Sequence, residues 1–249
     1  MARFLLILCT ITFLFSGFCF AKPLVADISD RSVLIDSNFI GTDLLLFGAR
    51  NDPGEIVVTI RGPAGNYVVR KKERIAGIWV NRKQVYFKDV DGFYSIASSR
   101  PLAEFKNQHL LDSLSIGLPQ LQSSLKNKVS KNLKANQDGA FSSALLSFKQ
   151  RQHLYANTVN DVDFIGETLF RTVINIPDNI PRGTYLADIY LLNDGQLSGI
   201  QTTPIVVEKT GFDAFMYDFA YNHSFLYGIT AIILALGAGW FAGIIFKKV

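Results

Sequence analysis

Three short motifs carry residue types that perform acyl transfer elsewhere. Ser123-Ser124-Leu125-Lys126 fits S-x-x-K, Tyr155-Ala156-Asn157 resembles the middle motif of serine-and-lysine acyl-transfer enzymes, and Lys209-Thr210-Gly211 is K-T-G, in the same chain order. That chemistry needs the serine at a buried helix start and K-T-G on a strand lining the same cleft. Here Ser123 adjoins a basic, polar loop, and Lys209-Thr210-Gly211 stands as a hinge before an aromatic, helical stretch. The intervals also leave little chain for a large helical domain, so chance matches are expected. His109, His153 and His223 lack a nucleophile-elbow context and read as surface or boundary histidines. No H-x-x-x-H pair occurs. Asp161 with Asp163, and Asp89 with Asp91, could offer oxygen ligands to calcium, but solvated turn carboxylates are the favoured reading. "RGPAGN" lacks the following Lys-Ser/Thr or helix of a phosphate loop. No catalytic residue, metal site or cofactor is expected.

The densest polar feature is "VRKKERIAGIWVNRKQVYF" at residues 69–87. Arg70, Lys71, Lys72 and Arg74 precede Trp79, and Arg82 and Lys83 follow it. Basic residues interleaved with aromatics often mark nucleic-acid surfaces. Two strands explain the same pattern. Ile75, Gly77 and Trp79 share one parity, Ile78 and Val80 the other, and Val85 and Phe87 alternate with Tyr86. Apolar residues on both faces predict a two-strand unit covered on both, with Trp79 in the core and the cations at one end, around the turns. These seven residues (Arg70, Lys71, Lys72, Arg74, Trp79, Arg82, Lys83) are the candidate interaction cluster.

The elements around them begin with an address. The chain is 49% hydrophobic, so membrane segments come first. Residues 1–21, with Arg3, an apolar run from Phe4 to Phe15 and small residues before Lys22, have a signal-peptide layout with cleavage expected after Ala21. The two cysteines, Cys9 and Cys19, both lie in it. The mature chain is therefore expected to hold no disulfide, thiol nucleophile or cysteine metal site. Its formal charge falls from +4 to about +3 with the loss of Arg3, too mild to argue for a polyanion. Residues 225–246 carry no charge and are long enough to cross a bilayer as a helix. Lys247 and Lys248 follow, which favours a cytoplasmic tail at 247–249 and a periplasmic domain. That address removes nucleic acid as a partner. Ala231, Ala235, Gly239 and Gly243 recur every four residues, a small ridge suited to helix–helix contact with a second copy or another membrane protein. Upstream, Phe212, Phe215, Met216 and Phe219 form an amphipathic stripe, so residues 211–224 read as a juxtamembrane helix.

Residues 22–210 remain to fold. Two β-rich stretches, Leu24–Ser98 and Val159–Glu208, flank a helical insertion around 101–157. Asn51-Asp52-Pro53-Gly54 and the "RGPAGN" segment read as hairpin connections. Asp138 reads as a helix N-cap, with Lys149 and Arg151 placed to favour the helix C-terminus. Tyr185, after "IPRG", sits where an immunoglobulin-type sandwich places a tyrosine that bonds back to an upstream turn, with closing strands at 184–192 and 199–207. The expected fold is mainly β: an immunoglobulin-like β-sandwich with an inserted helical segment, plus one C-terminal transmembrane helix. Two small separate domains are the alternative.

Ordered blocks along the mature chain carry a resemblance. "LVADIS", "GTDLLLFGAR", "VVTIRGP", "RKKERIAGIWVN", "FYSIASSRPL", "FKQRQHLYA", "FIGETLFRTVINIPDNIPRGTY", "QTTPIVVEKTG" and "FAYNHSFLYGITAIILALGAGW" resemble the single-pass transmembrane proteins of alphaproteobacteria, a family of unknown function. The resemblance implies a Gram-negative inner-membrane protein with a periplasmic domain. It also implies an association with a sulfite-exporter-like permease, beside which members are often encoded. It supplies no catalytic residue. The expected function is thus a non-catalytic binding or accessory module for a membrane partner. A periplasmic hydrolase, or a binder of anionic headgroups or cell-wall polymers, is the alternative.

Overall fold

The computed structural model describes residues 23–129 and 138–246. The expected signal peptide, the 247–249 tail and much of the basic segment before Asp138 lie outside them.

Alternating apolar residues build most of the strands. In Leu169–Ile176 (β10), Phe170, Thr172, Ile174 and Ile176 are buried while Leu169, Arg171 and Val173 face out, the period-two pattern of a strand with one covered face. β10 pairs antiparallel with Thr42–Arg50 (β3), which pairs with Leu24–Ile28 (β1). With Asp163–Ile165 (β9) they form a four-stranded sheet ordered β1-β3-β10-β9. A six-stranded sheet is ordered β2-β12-β11-β4-β7-β8. Its members are Ser32–Ile35 (β2), Gln196–Lys209 (β12), Gly183–Asn193 (β11), Glu55–Arg61 (β4), Tyr94–Ser98 (β7) and Asn160–Asp161 (β8). Strands from both halves of the sequence thus meet in each sheet.

One core joins the inner faces, with Leu44, Leu46, Phe170 and Ile174 from one sheet and Val58, Ile60, Ile189 and Ile205 from the other. The opposite face of β4 and β7 is covered too. There Tyr94 accepts the Gly117 N–H at 2.9 Å, and Arg61 donates to the Leu114 carbonyl at 2.7 Å. These contacts tie the inserted helices to the sheet: Gln108–Ser113 (α1), Leu118–Asn127 (α2) and Asp138–Arg151 (α3). Covering on both sides explains why the middle of β4, Ile56–Ile60, is an unbroken buried apolar and Thr run. The mainly β fold with its helical insertion agrees with expectation. Within that insertion the Ser123 region forms α2, opened by Gly117 and Pro119 and ending at Asn127, beside the segment read as a basic loop.

Two expected hairpins are corrected. Asn51–Gly54 connects β3 to β4 across the two sheets rather than within one. Gly62 and Pro63 do not turn the chain. Gly62 donates to the Phe93 carbonyl and Gly92 to the Pro63 carbonyl, so the β4–β7 ladder continues into Ala64–Ile75 (β5) and Ile78–Asp91 (β6). Pro63 is tolerated because it contributes only its carbonyl there. The result is a long two-stranded arm that outruns the sandwich. A second small core of Val85, Phe87, Val90, Leu125, Phe141 and Leu145 fastens its base to α2 and α3.

Past Lys209 the chain forms Gly211–Asn222 (α4) and the 23-residue Ser224–Phe246 (α5). Ser224–Ile245 has a mean hydropathy of 2.0 and is long and apolar enough to cross a membrane.

Candidate functional site

The arm carries the seven candidate interaction residues. Ala76 and Gly77, with φ of +47° and +84°, make a two-residue turn with both central residues left-handed, the type that matches hairpin twist. Around it Ile75 pairs with Ile78, Arg74 with Trp79 and Glu73 with Val80. Directly opposed residues share a face. Ile75, Ile78 and Val80 therefore lie on one face, and Trp79 with Arg74 on the other. The tight turn resets the parity that an unbroken strand count would give.

Contrary to the expectation from sequence, Trp79 is not in the core: it is 65% exposed, and Ile78 is 68% exposed. Both faces are apolar as read, but the covering from α2 and α3 reaches only the base of the arm. Arg70, Lys71, Lys72, Arg74, Arg82 and Lys83 are all exposed in the distal half. They are brought together as expected, as a collar beneath the tip. Glu73 is the acidic residue among them, paired with Lys71 at 3.2 Å and Arg82 at 3.0 Å. Those two cations hold its carboxyl below the usual range. The ladder slips at Lys71/Lys72.

The base of the arm is pinned by Lys149. It follows Phe141 and Leu145 at intervals of four on α3, the spacing of one helical face, and is 1% exposed. Its Nζ donates to the Tyr67 hydroxyl at 2.8 Å and the Gly92 carbonyl at 3.1 Å, and lies 4.0 Å from the Tyr67 ring centre. Burial depresses its pKa to about 8, against the pull of Asp91, whose own carboxyl burial pushes up. The sequence reading made Lys149 a helix-end cation. In the structure it links three elements instead, and the 141/145/149 spacing was the signal.

A second surface went unread. The outer face of the four-stranded sheet exposes Val25, Leu45, Phe47, Ile165, Leu169 and Val173. Cross-strand pairing puts Val25, Ala49, Leu169 and Ile165 in one row. All of these side chains but Val173 line a shallow groove of about 470 Å³, with Asp27 and Arg171 also lining it. The signal was β3 itself, whose "LLLF" is apolar on both parities.

The acyl-transfer residues do not form a cleft. Ser123 and Lys126 are exposed on α2, Tyr155 is buried with its hydroxyl on the Asp91 carbonyl, and Lys209 ends β12. His109, His153 and His223 are exposed. His153 borders a polar hollow of about 180 Å³ with Ser95 and Thr158. Among the described residues no three His, Cys, Asp or Glu side chains cluster to hold a metal ion.

The last feature is the end from which the chain leaves for α5. Gly183 opens β11 opposite Val207, two residues before β12 ends. A Cβ on Gly183 would touch Pro63, and one on Gly92 would touch Pro181. The root of the arm and the departure towards α5 therefore share one end of the sandwich. Tyr185 donates to the Pro181 carbonyl at 2.5 Å there, as its position predicted. The Arg182 guanidinium sits 4.1 Å from the Tyr217 ring centre and ties α4 to the domain. Tyr217 and Tyr221 stack on one side of α4 and Phe215 and Phe219 on another, so the phenylalanine stripe is not the face that meets Arg182. On α5, Ala231, Ala235, Gly239 and Gly243 keep their spacing of four, and Gly239 and Gly243 face open space.

Comparison with curated proteins and with solved structures gives no match. Residues 23–248 match the model of the family described as "Putative transmembrane protein (Alph_Pro_TM)", and the chain belongs to that family.

Proposed function

We propose that this chain is a membrane-anchored, non-catalytic docking module whose partner is a membrane protein. Its domain sits in the periplasm and its short tail in the cytoplasm, an orientation supported by Lys247 and Lys248 after the span. The sandwich is of the immunoglobulin kind. What supports this is the strand order: β1-β3-β10-β9 follows A-B-E-D, and β12-β11-β4-β7 follows G-F-C-C′.

The observation that carries the docking role is the apolar outer face of the four-stranded sheet. Exposed, contiguous apolar surface of this kind marks interaction sites, and Asp27 and Arg171 beside it can set the register of a partner. The partner implied by family resemblance is a permease of the sulfite-exporter kind. The small ridge on α5 offers it, or a second copy, a contact within the bilayer.

Tagged full-length protein, extracted in mild detergent, is expected to bring down one membrane protein in constant proportion. The pair Leu169→Asp and Val173→Asp should abolish that recovery with only a modest loss in the thermal midpoint, because both side chains are about half exposed on the outer face. Recovery of the bare chain under several extraction conditions, or of the same partner by the substituted chain, overturns the reading.

A further inference from the structure

We propose that the β5–β6 arm is a second membrane contact: its tip wedges into the headgroup layer of the bilayer that α5 crosses, and its collar binds anionic lipid. The proposal does not depend on the docking face of the four-stranded sheet, which lies on another element.

Three observations converge on it. The first is the tip. Ile75, Ile78, Trp79 and Val80 are all exposed, between 38% and 68%, on a hairpin narrowed by the Ala76-Gly77 turn, and nothing lies within 4 Å of a Cβ built on Gly77. A strand pair with no covering element leaves these side chains in water, whereas tryptophan favours the membrane–water boundary. The second is charge. Six cations, Arg70, Lys71, Lys72, Arg74, Arg82 and Lys83, surround a single acid, Glu73, which is already neutralised by Lys71 and Arg82. A cationic collar directly beneath an apolar point matches a bilayer with anionic lipid, which presents negative charge above an apolar interior. An acidic protein loop would satisfy the collar but not the tip.

The third is position. The arm leaves the sandwich at the end where β12 leads into α4 and α5, so arm and span share the membrane-facing side. The register gives the arm eleven cross-strand pairs, from Ala64↔Asp91 to Ile75↔Ile78, a reach of roughly 40 Å at strand rise. α4 has twelve residues, roughly 18 Å as a helix, so the tip has length to spare to meet the same bilayer. Lys149 and the small core beneath the arm hold its base firmly, so the reach belongs to a stiff element.

The chain has two tryptophans, Trp79 and Trp240, which makes the test direct. Full-length protein carrying Trp240→Phe, one copy per nanodisc and excited at the red edge where tyrosine does not absorb, leaves Trp79 as the sole tryptophan without touching the arm. In phosphatidylcholine with added phosphatidylglycerol, its emission should shift to the blue. Shallow doxyl-labelled lipid should quench it, and acrylamide quenching should fall several-fold relative to discs without phosphatidylglycerol. Added salt, or Lys71→Glu with Lys72→Glu and Lys83→Glu, should reverse the change; circular dichroism reports whether that variant is folded. Water-like emission, equally open to acrylamide in both lipids, overturns the proposal. So does protection from acrylamide without doxyl quenching, which would put the tip against protein.

Discussion

At the scale of single residues, Lys149 sets the sharpest condition. A buried ammonium group costs stability in its charged form, and its depressed pKa says how pH relieves that cost. Below about pH 8 the lysine is protonated whether the chain is folded or not, and the penalty is present in full. Between there and the ordinary value of 10.5 the unfolded chain holds the proton and the folded chain has released it. Stability must therefore rise with pH across that window, by on the order of 2 kcal/mol. Asp91, Tyr67 and Tyr155 face the same group; burial raises both phenols from their ordinary value of 10.0, so near that pH unfolding releases their protons and opposes the rise. From pH 8 towards pH 10 the unfolding midpoints of the wild type are expected to gain on those of Lys149→Met, which shares the same phenols. Parallel curves would mean that the lysine is not the titrating group. The sequence could have located this residue, since 141, 145 and 149 fall on one face. It could not show that the face is closed, because the covering residue, Tyr67, lies far away in the chain.

At the scale of elements, the arm shows where local pattern suffices and where it fails. Alternation identified its strands, and the positions of Arg70–Arg74 and Arg82–Lys83 followed. Whether Trp79 is covered depends on how far α2 and α3 extend beside the strands, and the bounds of α2 within the expected helical insertion were not legible. Pro63 misled for a related reason: Gly-Pro next to Ala-Gly-Asn is turn chemistry in isolation, yet only the Pro63 carbonyl is used, in a ladder that runs straight on. The closing pair was easier. Asp194-Gly195 has φ of +48° and +79°, the residue types a two-residue turn favours, and Tyr185 announced its hydrogen bond to Pro181. The arm's own turn is less well matched, since Ala76 holds a left-handed backbone that costs an L-residue roughly 1–2 kcal/mol. Ala76→Asn, which tolerates that conformation better, should slow hydrogen exchange at the tip by up to about tenfold, on the order of 1 kcal/mol of local stability. Exchange at the β11–β12 turn should not change. Faster exchange at the tip would contradict the turn assignment.

At the scale of the whole molecule, the question is how domain and span are coupled. Thr210 and Gly211 alone would make a loose joint. The contact between Arg182 and Tyr217 narrows it by holding α4 against the residue that precedes β11. Tyr217→Ala removes that contact without adding or deleting a trypsin site. Cleavage after Lys209 in reconstituted protein should become several-fold faster, while the released domain keeps its thermal midpoint. Unchanged cleavage would show that α4 is held by the bilayer alone. The phenylalanine stripe of α4 was evident from its spacing. The tyrosine face was not, because Arg182 lies outside the helix and far back in the sequence.

β2 adds something to this coupling. It pairs parallel with the last residues of β12, Ser32 with Val206 through Ile35 with Lys209, so the final strand before the span lies along one of the first strands of the domain. Traction transmitted through α5 would load those hydrogen bonds together, in shear, rather than peel them off one after another. A strand held this way resists pulling far better than a hairpin edge drawn open from its end. The fold therefore puts a seam loaded in shear where the chain leaves the domain for α5.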